Sequence, residues 1–243
     1  MAGALKQKNL PVQPLMPDSI PPSPDPNAET NAARAGFFTL EVLLGAGVFL
    51  AAFAAFFYLA RVVFGQPSVA LDQWAFALAD RSRAALPALT PVVYAVTFFG
   101  SLMFFVPASL IAPYWMRRRG YGRHALALLL AMGGGWALNE LLKAYFQRPR
   151  PSSALLYQYG LSFPSGHAMM STAFYGCLAW LLAREYGRWG WATVLLTWAG
   201  LVGLTRVYLH VHYLTDVLAG YAGGAAWLLL LWAALRLAAT TRR

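Results

Sequence analysis

The chain has 243 residues, 59% of them hydrophobic and only 12% charged, and it carries a formal net charge of +10. Soluble domains run at roughly 45–50% apolar and 25% charged residues, and several apolar runs here reach the roughly 20 residues needed to cross a bilayer, so a soluble globular protein is excluded. The basic excess lies in short blocks between apolar runs with no recognised nucleic-acid motif beside it, which reads as membrane topology and not as a nucleic-acid surface.

Residues 1–34 hold Pro11, Pro14, Pro17, Pro21, Pro22, Pro24 and Pro26 among polar residues, which precludes a regular helix and predicts a disordered, proline-rich cytoplasmic tail. The start lacks the basic-then-apolar order of a signal peptide. Residues 35–243 form the membrane domain. Its first span covers 36–64, with Glu41 near enough to the start to reach the interface. Over 65–90, Asp72, Trp74, Asp80, Arg81 and Arg83 alternate with apolar residues at helical spacing. That pattern predicts an amphipathic helix on the membrane surface, placed to help position a substrate. Spans two to six are predicted at 91–116, 125–146, 167–183, 191–209 and 213–237, and no internal repeat is evident. The expected fold is all-α: an integral membrane bundle of six transmembrane helices, with a short interfacial helix between spans one and two.

Six spans place both termini on one side. The Arg117–Arg119 block with Arg123, the loop holding Arg184 and Arg188, and the terminal Arg242 and Arg243 share that side, which the distribution of basic residues makes cytoplasmic. Arg61, Arg81 and Arg83 fall on the other side and weaken the bias. Three polar clusters gather on that outer side, at the ends of spans that otherwise lack polar residues. Ionisable groups at membrane depth are costly and are kept mainly where they line a cavity or do chemistry. Cys177, the only cysteine, lies in an apolar run as a small buried residue; it excludes an intrachain disulfide and a thiolate-rich metal site.

The first cluster is Lys143 with Arg148, Arg150 and Pro151. It can be a snorkelling helix end, or Lys143 and Arg150 can converge on one anion, Arg with a planar fork and Lys with a compact charge. Arg148 either joins them or faces solvent, and Glu140, one turn earlier, is placed to pair with Lys143. The second, Pro164-Ser165-Gly166-His167, leads straight into span four. Ser165 can be a plain helix cap. The same geometry also aims free N–H groups and the helix dipole at an anion, with His167 beside it to protonate a leaving oxygen. In the third, Thr205-Arg206 precedes His210, His212 and Asp216. His212 and Asp216 are four apart, so an acid can fix the imidazole tautomer and leave the other nitrogen free to attack. His210 reads as a structural or supporting residue. Together the clusters offer what is needed to grip a phosphate, attack it and protonate what leaves.

These residues resemble the three signatures of the type-2 phosphatidic acid phosphatase superfamily: K-x-x-x-x-x-x-R-P, P-S-G-H and S-R-x-x-x-x-x-H-x-x-x-D. Lys143, Arg150 and Pro151 match the first, Pro164 to His167 the second, and Arg206, His212 and Asp216 the third, where Thr205 replaces Ser and keeps the hydroxyl. The resemblance covers about residues 36–238. It implies that His212 attacks phosphorus, Asp216 orients it, and His167 protonates the leaving group and then activates water. It implies that Lys143, Arg150, Ser165, Gly166 and Arg206 bind the phosphate oxygens. No metal and no cofactor are expected, because the cations are already supplied and Asp216 is the only acid in the signatures. The partners are the bilayer and a lipid substrate: phosphatidic acid, phosphatidylglycerol phosphate or undecaprenyl pyrophosphate. The expected location is a bacterial cytoplasmic membrane, with the active site facing the periplasm or cell exterior. A lipid phosphotransferase using the same intermediate is the nearest alternative. Vanadium haloperoxidases share the pocket but are soluble. A non-catalytic lipid-binding or transport protein is a further alternative, although a transporter usually shows inverted repeats and broken helices near the midplane, whereas the polar groups here are at span ends.

Overall fold

A computed structural model describes residues 28–66 and 69–240, and all its regular structure among them is helical. Eight helices follow in order: α1 (Ala28–Gly65), α2 (Ala70–Ala85), α3 (Leu89–Phe98), α4 (Leu102–Arg118), α5 (Gly122–Phe146), α6 (Gly166–Tyr186), α7 (Trp189–Tyr208) and α8 (Leu214–Thr240). Of the expected tail over 1–34, residues 1–27 lie outside the described residues. Helix α1 is already formed at Ala28, so the expected boundary at residue 35 falls within it. The segment to Leu40 is one unit, and Glu41–Arg243 is a second that holds everything described below.

Among the described residues, four helical stretches are long and apolar enough to cross a bilayer: Leu40–Gly65, Gly122–Phe146, Trp189–Tyr208 and Leu214–Ala238. The predicted second span is two helices, α3 and α4, bent by 42°. Gly100-Ser101 breaks it, and the Ser101 hydroxyl accepts from the Phe104 N–H (3.4 Å) to start α4. The predicted fourth span coincides with helix α6, which is not among the stretches apolar enough to cross a membrane. Burial explains this. Helix α6 packs against α5, α7 and α8, and Ala168, Met169, Ser171 and Ala173 are wholly inaccessible. A helix surrounded by helices needs small, close-fitting residues more than it needs lipid-compatible ones.

The outer helices show the complement. Leu43, Leu44 and Leu50 on α1, Leu110 and Ile111 on α4 and Leu141 on α5 are exposed, an apolar surface too extensive for water. The predicted amphipathic helix is α2, which packs on α7 and α8. It buries Asp72, Ala75 and Ala79 while Leu71, Trp74 and Leu78 stay exposed. Cys177 is a buried free thiol.

Candidate active site

The end of α5, the start of α6 and the α7–α8 turn meet at one end of the bundle. Helix α5 stops because Gln147 adopts a left-handed conformation (φ 49°) and its N–H closes onto the Lys143 carbonyl. The loop that follows is pinned by Phe163, fully buried among Phe56, Phe64 and Phe146 with ring centroids 5.0–5.7 Å away. The Phe163–Pro164 peptide is cis. Ser165 stands at the N-cap position of α6 without a side-chain cap, and its N–H donates to the Asp216 carbonyl (3.0 Å), which joins the second cluster to the third.

Lys143, Arg150, Gly166, His167 and His212 line one cavity of about 450 Å³. Leu102, Phe105, Trp136 and Met170 form its apolar side. Ser165 and Asp216 are fully buried and do not line the cavity, and Arg206 is 1% exposed. Arg150 is held by three carbonyls, donating from Nε to Gly160 (3.0 Å), from Nη1 to Val211 (2.9 Å) and from Nη2 to Tyr159 (3.2 Å). The same Nη1 lies 3.0 Å from His212 Nε2. Lys143 Nζ sits 3.3 Å from Glu140 Oε1 on the half-exposed edge, as its spacing predicted. Arg206 donates from Nη1 to Thr97 Oγ1 (2.7 Å), while its Nε and Nη2 and the Ser165 hydroxyl have no hydrogen-bond partner in the protein. Buried donors of that kind are costly unless something polar meets them.

His212 stands between opposite charges. Its Nδ1 is 3.4 Å from Asp216 Oδ2, close enough for an ion pair but not aligned as a hydrogen bond. Its Nε2 faces Arg150. Burial first, then Arg150, Arg206 and Lys143, hold the imidazole well below the ordinary histidine range, against an opposing contribution from the Ser162 backbone. The ring is therefore neutral at physiological pH, with a lone pair available.

Two glycines permit this packing. A methyl at Gly166 would lie 3.5 Å from Lys143 Nζ and 3.2 Å from Asn139 Oδ1, in the space where the α6 terminus meets the cations. A methyl at Gly100 would lie 2.7 Å from His167 Cδ2 and overlap Val202. The α3–α4 break thus lets the chain approach the His167 ring.

Sequence reasoning missed several supporting residues. Asn139 donates to the Pro164 carbonyl and approaches Met169 Sδ, both at 3.4 Å. Asp72 and Arg148 form ion pairs beneath the site: Arg148 reaches Asp72 Oδ2 (3.0 Å) and Asp216 Oδ1 (2.5 Å). Arg148 therefore faces inward. His210, itself buried, stacks on Phe76 (4.2 Å), meets Ser153 Oγ (3.0 Å) and approaches Arg83 (3.3 Å) and Asp80 (3.4 Å), contacts that tie the α7–α8 turn to α2. Among the described residues, no three His, Cys, Asp or Glu side chains form a metal-holding group.

An all-helical, multi-pass membrane protein with cations and histidines gathered at its helix ends belongs to the class that handles phosphate esters at a membrane. The chain is a member of the PAP2 superfamily, whose sequence profile matches residues 124–238, and it is an enzyme, a phosphoric ester hydrolase. It is 33% identical over 156 residues to phosphatidylglycerophosphatase B of Bacillus subtilis, covering 59% of this chain and 75% of that one. Over 109 residues it is 35% identical to a lipid A 1-phosphatase of Rhizobium johnstonii, covering 40% of this chain and 41% of the relative. The crystal structure of a transmembrane PAP2-type phosphatidylglycerolphosphate phosphatase from Bacillus subtilis superposes with a TM-score of 0.67 at 28% identity, covering 76% of this chain and 94% of that one.

Proposed function

We propose that the protein hydrolyses a lipid phosphate monoester or pyrophosphate through a phosphohistidine on His212, without a metal. The observation that carries this reading is the setting of His212: Nδ1 faces Asp216 at 3.4 Å while Nε2 opens beside Arg150 at 3.0 Å. A neutral imidazole with its proton on Nδ1 presents the Nε2 lone pair where a phosphate held by Arg150 would sit. That lone pair attacks phosphorus, the ester P–O bond breaks, and His167 gives its proton to the departing lipid oxygen. A water then attacks phosphorus while giving a proton to His167, the new P–O bond forms as the P–N bond breaks, and phosphate leaves with His212 neutral again. Lys143, Arg150, Arg206, Ser165 and the Gly166 N–H stabilise the charge that builds on the equatorial oxygens.

The chain crosses the membrane six times in this reading, by α1, the bent α3–α4 pair, α5, α6, α7 and α8, with α2 at the interface. Helix α6 has 21 residues, or about 31 Å at 1.5 Å per residue, enough for the hydrocarbon core. Arg117 and Arg118 end α4 at one side, and Lys143 ends α5 at the other. Basic residues favour the cytoplasm, so the site faces the periplasm or cell exterior, and both termini are cytoplasmic. The apolar wall of Leu102, Phe105 and Trp136 receives the substrate's chain. Phosphatidylglycerol phosphate, phosphatidic acid and undecaprenyl pyrophosphate all present a terminal phosphate to such a pocket, and the relatives named above make phosphatidylglycerol phosphate the first to try.

The test is phosphate release from these three lipids by detergent-solubilised protein in EDTA, beside His212→Ala. Release that survives chelation and is lost in the variant supports the mechanism, and the relative rates rank the substrates. Release that requires a divalent metal, or that persists in His212→Ala, overturns it. Phosphate passed to a second lipid in place of water would make the enzyme a phosphotransferase.

A further inference from the structure

We infer that Asp72 and Arg148 are positioning residues for the nucleophile: the surface helix α2 sends Asp72 beneath the site, Asp72 holds Arg148, and Arg148 holds the carboxylate that orients His212. The inference rests on the assignment of His212 as nucleophile.

The contacts form one continuous chain. Arg148 divides its fork between two acids, giving Nη1 to Asp216 Oδ1 (2.5 Å) and Nη2 to Asp72 Oδ2 (3.0 Å), with Thr215 Oγ1 a further acceptor at 2.9 Å. Its guanidinium also lies 3.8 Å from the centre of the Tyr213 ring. Asp72 accepts from the Thr215 N–H and from the Thr215 hydroxyl, both at 2.8 Å. The Thr215 N–H is one of the free donors at the start of α8, so an acid on α2 caps the helix that carries Asp216. The second oxygen of Asp216 accepts from the Tyr213 N–H (3.0 Å) and faces His212 Nδ1 at 3.4 Å. Asp72 is 3% exposed, and Thr215 and Asp216 are inaccessible. A carboxylate on an otherwise amphipathic surface helix has little reason to be so buried unless the fold uses it.

The arrangement has an electrostatic consequence. His212 faces Asp216 on one side and Arg150, Arg206, Lys143 and His167 on the other, and Asp216 faces Arg148 and, at longer range, Arg150. Because Arg148 is shared with Asp72, it neutralises Asp216 only in part. Asp216 keeps enough charge to align the Nδ1 proton and stabilise the imidazole as it becomes cationic, yet not enough to hold a second proton on His212 before attack. Removing Arg148 strengthens the field of Asp216, and the His212–Asp216 pair then keeps a proton to higher pH. Removing the charge of Asp72 frees Arg148 to act on Asp216 alone, and the pair loses its proton at lower pH. The two substitutions therefore move the acid limb of the pH–rate profile in opposite directions.

The experiment measures kcat and KM against pH for the wild type, His212→Ala, Asp72→Asn, Arg148→Gln, Arg148→Lys and Asp72→Asn/Arg148→Gln, with a melting temperature for each. Substrate ionisation is common to all and cancels in the differences. Arg148→Gln is expected to raise the acid limb by about one pH unit, and to lower kcat at pH 7 by about 10–100-fold with KM within about threefold, as a misaligned orienting group does. Asp72→Asn, isosteric and still an acceptor for the Thr215 N–H, should lower the acid limb. Arg148→Lys should restore the limb but only part of kcat, since an ammonium lacks the fork that spans both acids. The double variant removes one charge of each sign, so it guards against failure of Arg148→Gln to fold, and its limb should follow the loss of Arg148. Limbs that coincide with the wild type, or activity losses that only track the melting temperature, overturn the inference. An inactive wild type, or an active His212→Ala, would instead refute the nucleophile assignment.

Discussion

Replacing Gly100 with alanine tests whether His167 is the proton donor, by moving it without changing it. The added methyl would stand 2.7 Å from His167 Cδ2 and overlap the Val202 side chain, where ordinary contact begins at 3.4 Å. The ring must therefore retreat by roughly 0.7 Å or more, a displacement of the order that costs about 100-fold when a reacting group is misplaced. Overpacking should also cost about 1–3 kcal/mol of stability. The assay compares a lipid phosphate with an aryl phosphate in the same detergent. The lipid alkoxide needs a proton as it departs, whereas the aryl oxide leaves without one. Turnover of the lipid should fall about 100-fold and that of the aryl ester less than about fivefold, because only the first depends on the placement of His167. Adding Val202→Ala removes one of the two overlaps, so it should restore part of the stability and leave the rate defect in place. Equal losses on both substrates, or a Gly100→Ala enzyme within about threefold of wild type on the lipid, would refute the assignment of His167 as general acid.

Thr97→Val removes the hydroxyl that accepts from Arg206 at 2.7 Å while keeping the shape of the side chain. A hydrogen bond to a charged group contributes about 1.5–3 kcal/mol, so inhibition by inorganic phosphate should weaken about tenfold or more if Arg206 binds it, and unchanged inhibition would remove Arg206 from the binding set. The buried His212 predicts a pH dependence of stability. Its folded-state pKa lies below the unfolded value near 6.5, so the unfolded chain binds the extra proton first. Stability should be full above pH 6.5 and decline below it, by up to about 1.4 kcal/mol per pH unit for this one group, until the folded pKa is reached. Denaturation midpoints at pH 7.5 and pH 5.5, compared between wild type and His212→Gln, measure it; a decline of equal size in the variant would assign the effect elsewhere.

The residues now gathered around the cavity were legible in the sequence because each stands at a helix end in a short fixed spacing. Lys143 and Arg150 flank the stop of α5, Ser165 to His167 open α6, and Arg206 to Asp216 cover the α7–α8 turn. What brings them together is tertiary, yet under the proposed six-span topology the crossings dictate most of it, because alternate crossings return alternate ends to the same side. The break at Gly100-Ser101 was hidden because a hydropathy window averages over two residues that a serine cap turns into a boundary. Asp72 was hidden for a different reason. Its partner Thr215 is 143 residues away, and nothing local distinguishes an acid that points into a membrane protein from one that faces water on the same amphipathic helix. Arg148 was ambiguous on the same ground, since its two neighbours in the sequence, Gln147 and Pro149, say only that a helix has ended.

The charges at the site also constrain what it holds. Lys143, Arg148, Arg150 and Arg206 supply four cations around His212, and Asp72 and Asp216 return two buried anions. Glu140 meets Lys143 from a half-exposed position where water screens it. With His212 neutral and His167 carrying the proton it gives to the leaving group in the proposed mechanism, the surplus is three positive charges beside an apolar wall, in surroundings where an unmatched charge is costly. A terminal phosphate carries close to two negative charges at pH 7, so it cancels most of that surplus, and a phosphodiester with one charge cancels only a third. Under the proposed function, charge balance as well as shape would favour a terminal phosphate over the diester linkage within the same lipid. The fork of Arg148 matters for this balance too, because an Arg148 paired with Asp216 alone would leave Asp72 buried and uncompensated next to the anion that the pocket is built to receive.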